Sequence, residues 1–325
     1  MNFKPSTYQQ AIYDFISNET GNAVIDAVAG SGKSTTIVNA LSLIPKNKQV
    51  LFLAFNNAIV DELRLKIGQM DNVEISTLHS FGNTIVGKAF KPVRADANKY
   101  RYYVNNGVTY GKIRPDRKLQ YEDLATYQNN IHKLVDIIRV NLVKENDITT
   151  LMSLAKKHSL FILDNEMEIA FDVVAWGKNQ TFKRDFTDMI YFPNAFDLKP
   201  HIPQYDYVFI DECQDLNAAQ RELFLKAIKP TTGRFIAVGD PQQAIYGFAG
   251  ADVESFNMLK NTPNTTLLPL SVCYRCDKSI IELAQSEVPQ IEAKDNAEQG
   301  IVNYDATFEE IQENDMILCR ITAPL

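Results

Sequence analysis

Residues 23–35 read AVIDAVAGSGKST. A β-prone, largely apolar run leads into a Gly-Ser-Gly turn, and Lys-Ser-Thr then opens a helical pattern. Backbone N–H groups of such a loop can wrap a phosphate at the positive end of the following helix. Ala29, Gly30, Ser31 and Gly32 would form the wrap, with Thr35 in the first helical turn. The Lys33 ammonium would reach the outer phosphates, and the Ser34 hydroxyl would bind Mg²⁺. Ala27 stands where the usual G-x-x-x-x-G-K-[ST] pattern has its first glycine.

The same alternation continues outward from this stretch. Apolar β-rich runs recur at residues 50–54, 73–76, 207–210, 235–238 and 266–270. Helical periodicity occupies residues 34–43, 58–67, 80–90 and 218–227. Buried parallel strands alternating with helices give an α/β fold with a doubly wound sheet. The alternation stops at 91–179, a stretch that begins polar, basic and Tyr-rich and turns helical from about Tyr121. It reads as an inserted subdomain. Residues 315–319 (DMILC) look like the start of a further strand, so the expectation is that the natural protein continues or that the sequence was cut there.

The 325 residues are 45% hydrophobic and 22% charged, which excludes a disordered or fibrous chain. No apolar run is long enough to span a membrane, and the first residues resemble no secretory leader. Four cysteines are too few for a disulfide scaffold, so a reducing, cytoplasmic or otherwise intracellular setting is expected. The net charge is −7, unevenly distributed. Residues 88–120 carry nine basic side chains against two acidic ones; residues 282–315 carry ten acidic against one basic.

Two more stretches bear chemistry. Residues 207–215 read YVFIDECQD, an apolar strand ending in paired acids: Asp211 for Mg²⁺ and Glu212 for the attacking water. Residues 238–251 read VGDPQQAIYGFAGA. Here Gln243 could sense a γ-phosphate, while Tyr246 and Phe248 offer faces on which bases stack.

Taken in order, YQQAI (8–12), AGSGKST, FLAFNNA (52–58), STLHSFG (76–82), DECQD, GDPQQAIYGFAGA and LSVCYRC (270–276) resemble the motifs of superfamily 1A helicases of the UvrD/Rep kind. The resemblance runs from Tyr8 to Arg320. It implies a RecA-like ATPase lobe from residues 1–90 and 180–270, a mostly helical insertion at 91–179, and the beginning of a second RecA-like lobe at 271–325. By position it makes Lys33, Asp211, Glu212, Gln243 and Arg275 catalytic. ATP would be bound by Gln9, residues 29–35 and Tyr274; Gln10 adjoins Gln9, and the register between these glutamines is open. Single-stranded DNA would meet Phe55, Asn56, Thr77, His79, Tyr246 and Phe248. The implied activity is ATP-dependent 3′→5′ movement on single-stranded DNA or on DNA with a 3′ overhang, with ATP and Mg²⁺ as cofactors and no membrane partner.

Departures from that pattern are Ala249, where an arginine is usual, and Cys213 within the acidic motif. The fifth and sixth motifs do not appear, so this chain alone is expected to hydrolyse ATP slowly. Two rival readings are a motor subunit of an ATP-dependent nuclease and a nucleotide-gated binding module without motor activity. Cys273 and Cys276 form a C-x-x-C without a second pair, which favours the helicase motif over a metal site. His132, His158 and His201 lack ligand spacing, and Trp176 reads as a packing residue. The tyrosines at 100, 102, 103 and 110 divide between two readings: stacking faces for a single strand, or inward-facing residues of a solvated hairpin or loop.

Overall fold

The computed structural model describes residues 4–68, 70–90, 94–116, 118–244, 254–305, 307–313 and 315–316. Its centre is a six-stranded parallel sheet. The strands are β1 (Asn22–Ala27), β2 (Val50–Ala54), β3 (Val73–Thr77), β4 (Tyr207–Ile210), β5 (Arg234–Gly239) and β6 (Thr265–Leu270), in spatial order β3-β2-β4-β5-β1-β6. The inner strands β2, β4, β5 and β1 are largely buried because both sheet faces are covered, while the edge strands β3 and β6 are partly exposed. Val50, Phe52 and Ala54 enter one core, and Leu51 and Leu53 the other. The first face is closed by α1 (Thr7–Asn18), α2 (Lys33–Ser42) and α3 (Asn57–Ile67).

The opposite face is closed by α4 (Leu78–Ala89) together with α5 (Lys99–Thr109), α6 (Tyr121–Val140), α7 (Ile148–Lys157), α8 (Glu166–Lys178), α9 (Phe186–Ala195), α10 (Ala218–Lys226) and α11 (Ser255–Lys260). One continuous apolar cluster runs from Leu51 and Phe224 beside the sheet to Ile131 and Val174 among the inserted helices. At the end of the chain, β7 (Val272–Cys273) pairs in parallel with β8 (Glu292–Ala293) around α12 (Lys278–Ala284). Its small core of Cys273, Ile281 and Ile291 includes Val28 from the loop after β1. Among the described residues no helix is long and apolar enough to cross a membrane.

The segment before Tyr121 differs from the sequence expectation, because α5 is already helical. Its stripe is narrow: Tyr100, Val104 and Gly107 are buried at helical spacing while the residues between them are polar. Lys99 is buried too. Its ammonium donates to Asp188 Oδ2 at 2.7 Å and to the Gly177 carbonyl at 2.8 Å. Tyr100 donates to Asp188 Oδ1 at 2.7 Å, and Arg139 reaches both Asp185 (2.8 Å) and Asp188 (3.2 Å). This ionic knot joins α5, α6 and α9, so one of the nine basic charges serves the interior. The further strand expected from residue 315 is not seen at Asp315 and Met316, and residues 317–319 lie outside the described residues.

Candidate functional site

Three neighbouring strands, β4, β5 and β1, end side by side, and each carries one segment of the site. Open parallel sheets bind ligands at the carboxyl ends of their strands. After β1 the chain turns through Gly30 and Gly32, both at positive φ (70° and 77°), and Lys33 begins α2. Gly30 is required twice over. An added Cβ there would lie 2.8 Å from Arg275 Cβ and 2.9 Å from Cys273 Sγ, besides the cost of positive φ. The Tyr274 N–H donates to the Gly30 carbonyl at 2.8 Å, so the terminal unit rests on this loop.

Gln9 faces the loop after β1, and Gln10 does not. Ser6 and Gln9 form a capping box at the start of α1, which turns the Gln9 side chain back toward the helix end. There Gln9 is buried and donates to Thr36 Oγ1 at 2.9 Å, while Tyr274 OH lies 3.5 Å from its Oε1. Gln10 is exposed and bonds Asp14. Tyr274 and Arg275 are exposed beside the loop; Ser34 is half-buried, and Ala29 and Thr35 are exposed. Ser31 is fully buried, and its Oγ has no hydrogen-bond partner among the described residues.

After β4, Asp211 is buried, and its Oδ1 accepts the Glu212 N–H at 3.0 Å. Burial pushes its carboxyl up to about 6; the Glu212 charge adds to this, and Lys33 and the Glu212 N–H oppose it. Glu212 takes a left-handed backbone (φ 50°, ψ 44°), which costs a non-glycine residue about 1–2 kcal/mol. Its Oε2 is 3.4 Å from Lys33 Nζ and accepts from Gln214 Nε2 at 2.8 Å. Gln214 Oε1 in turn accepts the Asp240 N–H at 3.0 Å, and Asp240 Oδ2 accepts from Gln243 at 2.6 Å. A continuous polar run thus links Lys33, Glu212, Gln214, Asp240 and Gln243 across the end of β5. Gly239 leaves room for it, since a Cβ there would collide with Gln214 Oε1.

Gln214 and Asp240 were not singled out from sequence. The available signal was their position: a polar residue just past the end of each of two adjacent buried strands.

Phe55, Asn56, Thr77 and His79 follow the ends of β2 and β3. Asn56 and Thr77 use their side-chain oxygens to cap α3 and α4, accepting from the N–H groups of Ile59 (3.0 Å) and Ser80 (3.1 Å). Phe55 is exposed, and His79 packs edge-on against Phe186 at 5.8 Å. Burial lowers the His79 pKa, which favours the neutral ring. Phe55, His79, Asp211 and Asp215 share a cavity of about 190 Å³. Tyr246, Phe248 and Ala249 lie outside the described residues.

No cluster of three or more metal-binding side chains exists among the described residues. Mg²⁺ with a nucleotide needs only one or two protein ligands, because phosphates and waters complete its shell. The buried Asp211 carboxyl after β4 and the half-buried Ser34 hydroxyl in the first turn of α2 are oxygen donors that could meet that demand. Cys213 is fully buried, and burial raises its thiol well above the usual range. Cys273 is buried against Gly30.

A family model described as the UvrD/REP helicase N-terminal domain matches residues 8–264. The ATP-dependent DNA helicase Rep of Buchnera aphidicola (subsp. Schizaphis graminum) is 25% identical over 282 residues, covering 81% of this chain and 41% of that protein. Rep of Escherichia coli K12 is 24% identical over 300 residues, with coverages of 85% and 42%. The ATP-dependent DNA helicase PcrA of Staphylococcus aureus Mu50 is 25% identical over 306 residues, with coverages of 87% and 39%. The chain spans about two fifths of the length of these relatives.

Proposed function

Because the chain belongs to the UvrD/REP helicase N-terminal domain family, we propose that it is the nucleotide-binding portion of an ATP-driven DNA motor with 3′→5′ polarity. The first RecA-like lobe comprises residues 1–90 and 180–270, the insertion 91–179, and the second lobe begins at 271. The observation that carries this reading is the 3.4 Å contact between Lys33 and Glu212, continued through Gln214 and Asp240 to Gln243.

Gln9 and Tyr274 hold the base, Tyr274 by stacking and Gln9 by hydrogen bonding. Backbone N–H groups of residues 30–33 and the Lys33 ammonium hold the phosphates. Mg²⁺ on Ser34 and Asp211, when bound, supplies charge neutralisation at the transferring phosphoryl group. Lys33 lies 3.4 Å from the Glu212 carboxylate. When Lys33 turns to a phosphate, the Glu212 carboxylate is released to take a proton from water. Gln243 and Arg275 face the same phosphate from two further segments. Gln243 is bonded to Asp240, so its movement is passed along the polar run. Phe55, Asn56, Thr77, His79, Tyr246 and Phe248 form the path for single-stranded DNA.

Lys33→Ala should weaken binding of a fluorescent ATP analogue with Mg²⁺ by about tenfold or more, with unchanged melting, because one charged contact is lost. Equal affinity in variant and wild type refutes the phosphate site. Polarity is read by streptavidin displacement from end-biotinylated oligo-dT, using the polypeptide that carries this chain. Faster displacement from the 5′ end fits 3′→5′ movement; faster displacement from the 3′ end refutes it.

A further inference from the structure

The insertion carries a second open cavity, of about 320 Å³, away from the strand ends of the sheet. Five aromatic rings line it. Tyr103 and Trp176 stack on one another with centroids 3.9 Å apart and planes 15° apart, and neither is fully buried. Tyr102, Tyr110 and Phe182 stand around them, 59%, 75% and 50% exposed. Aromatic rings bury large areas when they serve only packing. Three such rings left in solvent around one unfilled space point to a planar occupant.

Lys112 lines the same cavity and has no ion-pair partner among the described residues. Lys183 also lines it, half-exposed and 3.4 Å from Asp96. The surrounding stretch 88–120 is basic on a chain of net charge −7. Asp96 and the Asp188-paired Lys99 line the cavity as well, so Lys112 supplies its unbalanced charge, which favours an anionic occupant, while the rings favour a flat one.

We propose that this cleft is a nucleobase-binding site: a base of a single strand inserts beside the Tyr103–Trp176 stack, with its flanking phosphates on Lys112 and Lys183. The proposal rests on the reading of the chain as a single-strand binder and adds a contact on the inserted helices, distinct from the helicase motifs. Stacking of bases on aromatic faces tolerates any sequence, so the site holds the strand without selecting it.

Trp176 is the single tryptophan of the chain, so its emission reports this cleft alone. The experiment titrates the protein with 5′-fluorescein oligo-dT, following fluorescein anisotropy for binding and tryptophan emission for occupancy. Emission should be quenched in step with anisotropy. Tyr110→Ala with Phe182→Ala should weaken binding about tenfold, within the range for loss of stacking on one base. Both side chains are exposed, so melting should not change. Lys112→Gln should reduce the salt slope by about 0.7. Phe55→Ala should weaken binding yet leave the quenching at saturation intact.

Binding with unchanged emission, and with the double variant equal to wild type, overturns the cleft and leaves the single-strand reading standing. No anisotropy change with any oligonucleotide overturns both. Quenching by an aromatic peptide but not by oligo-dT also overturns the proposal and assigns the cleft to a protein partner.

Discussion

Gln214→Ala is the sharpest probe of the polar run across β5. The side chain is almost fully buried and makes two strong bonds, to Glu212 Oε2 at 2.8 Å and from the Asp240 N–H at 3.0 Å. Truncation leaves the Asp240 N–H buried without an acceptor, at a cost of about 1–3 kcal/mol. It also removes a hydrogen bond to a charged group, although the Glu212 side chain is 27% exposed and water replaces part of that loss. A destabilisation of about 2–4 kcal/mol is expected, read by urea unfolding. Gln214→Glu is a useful companion. It keeps the size and the acceptor for Asp240 but faces Glu212 with a second carboxylate. Repulsion and burial raise the new group's folded pKa above its unfolded value. Its stabilising effect is therefore present at low pH and lost as pH rises through the folded value. The variant should approach wild type at about pH 5 and fall behind it at about pH 8. A Gln214→Ala variant within about 0.5 kcal/mol of wild type would show that the run carries no energy.

Gly30→Ala should weaken fluorescent ATP binding more than it lowers melting temperature, because the new methyl displaces residues 273–275; an unchanged dissociation constant would contradict the close approach. Asp188→Asn leaves Lys99 and Arg139 short of a buried counter-charge and should cost about 3–5 kcal/mol in urea unfolding, against less than about 1 if the knot is dispensable. Burial would raise Asp206, but the Lys229 hydrogen bond, the Gln49 N–H and the Lys229 and Lys48 charges hold it below the usual carboxylate range. Its folded pKa is thus depressed, and its stabilisation is present above the unfolded pKa and lost as pH falls. The stability gap between wild type and Asp206→Asn should be constant near neutrality and close below about pH 4; a gap that widens on acidification would refute the assignment.

The sheet was legible because short runs such as VLFLA at β2 are apolar at every position, as strands covered on both faces require, and alternate with helical patterns. The turn at Gly30 and the paired acids after β4 were legible in position, because each directly follows an apolar run that is a buried strand. The helix α5 was hidden, since a stripe of three buried residues is outweighed by its polar majority, and one of those polar residues, Lys99, turns inward to Asp188. The choice between Gln9 and Gln10 was present in the sequence as Ser6-x-x-Gln9, a capping signature that fixes which glutamine turns back. Gln214 and Asp240 could not be paired from sequence, because only the strand order β4-β5-β1 brings their segments together.

The apolar cluster that unites the sheet with the inserted helices has a mechanical consequence. Sliding one past the other would open that shared cluster to water, which favours a constant separation between the sheet edge and the aromatic cleft. A strand lying over both would be gripped by a fixed gauge, unable to lengthen or shorten between the two holds. The terminal unit is tied on separately, through the Tyr274 N–H to the Gly30 carbonyl, so a displacement of that unit would be felt by the glycine loop beneath it.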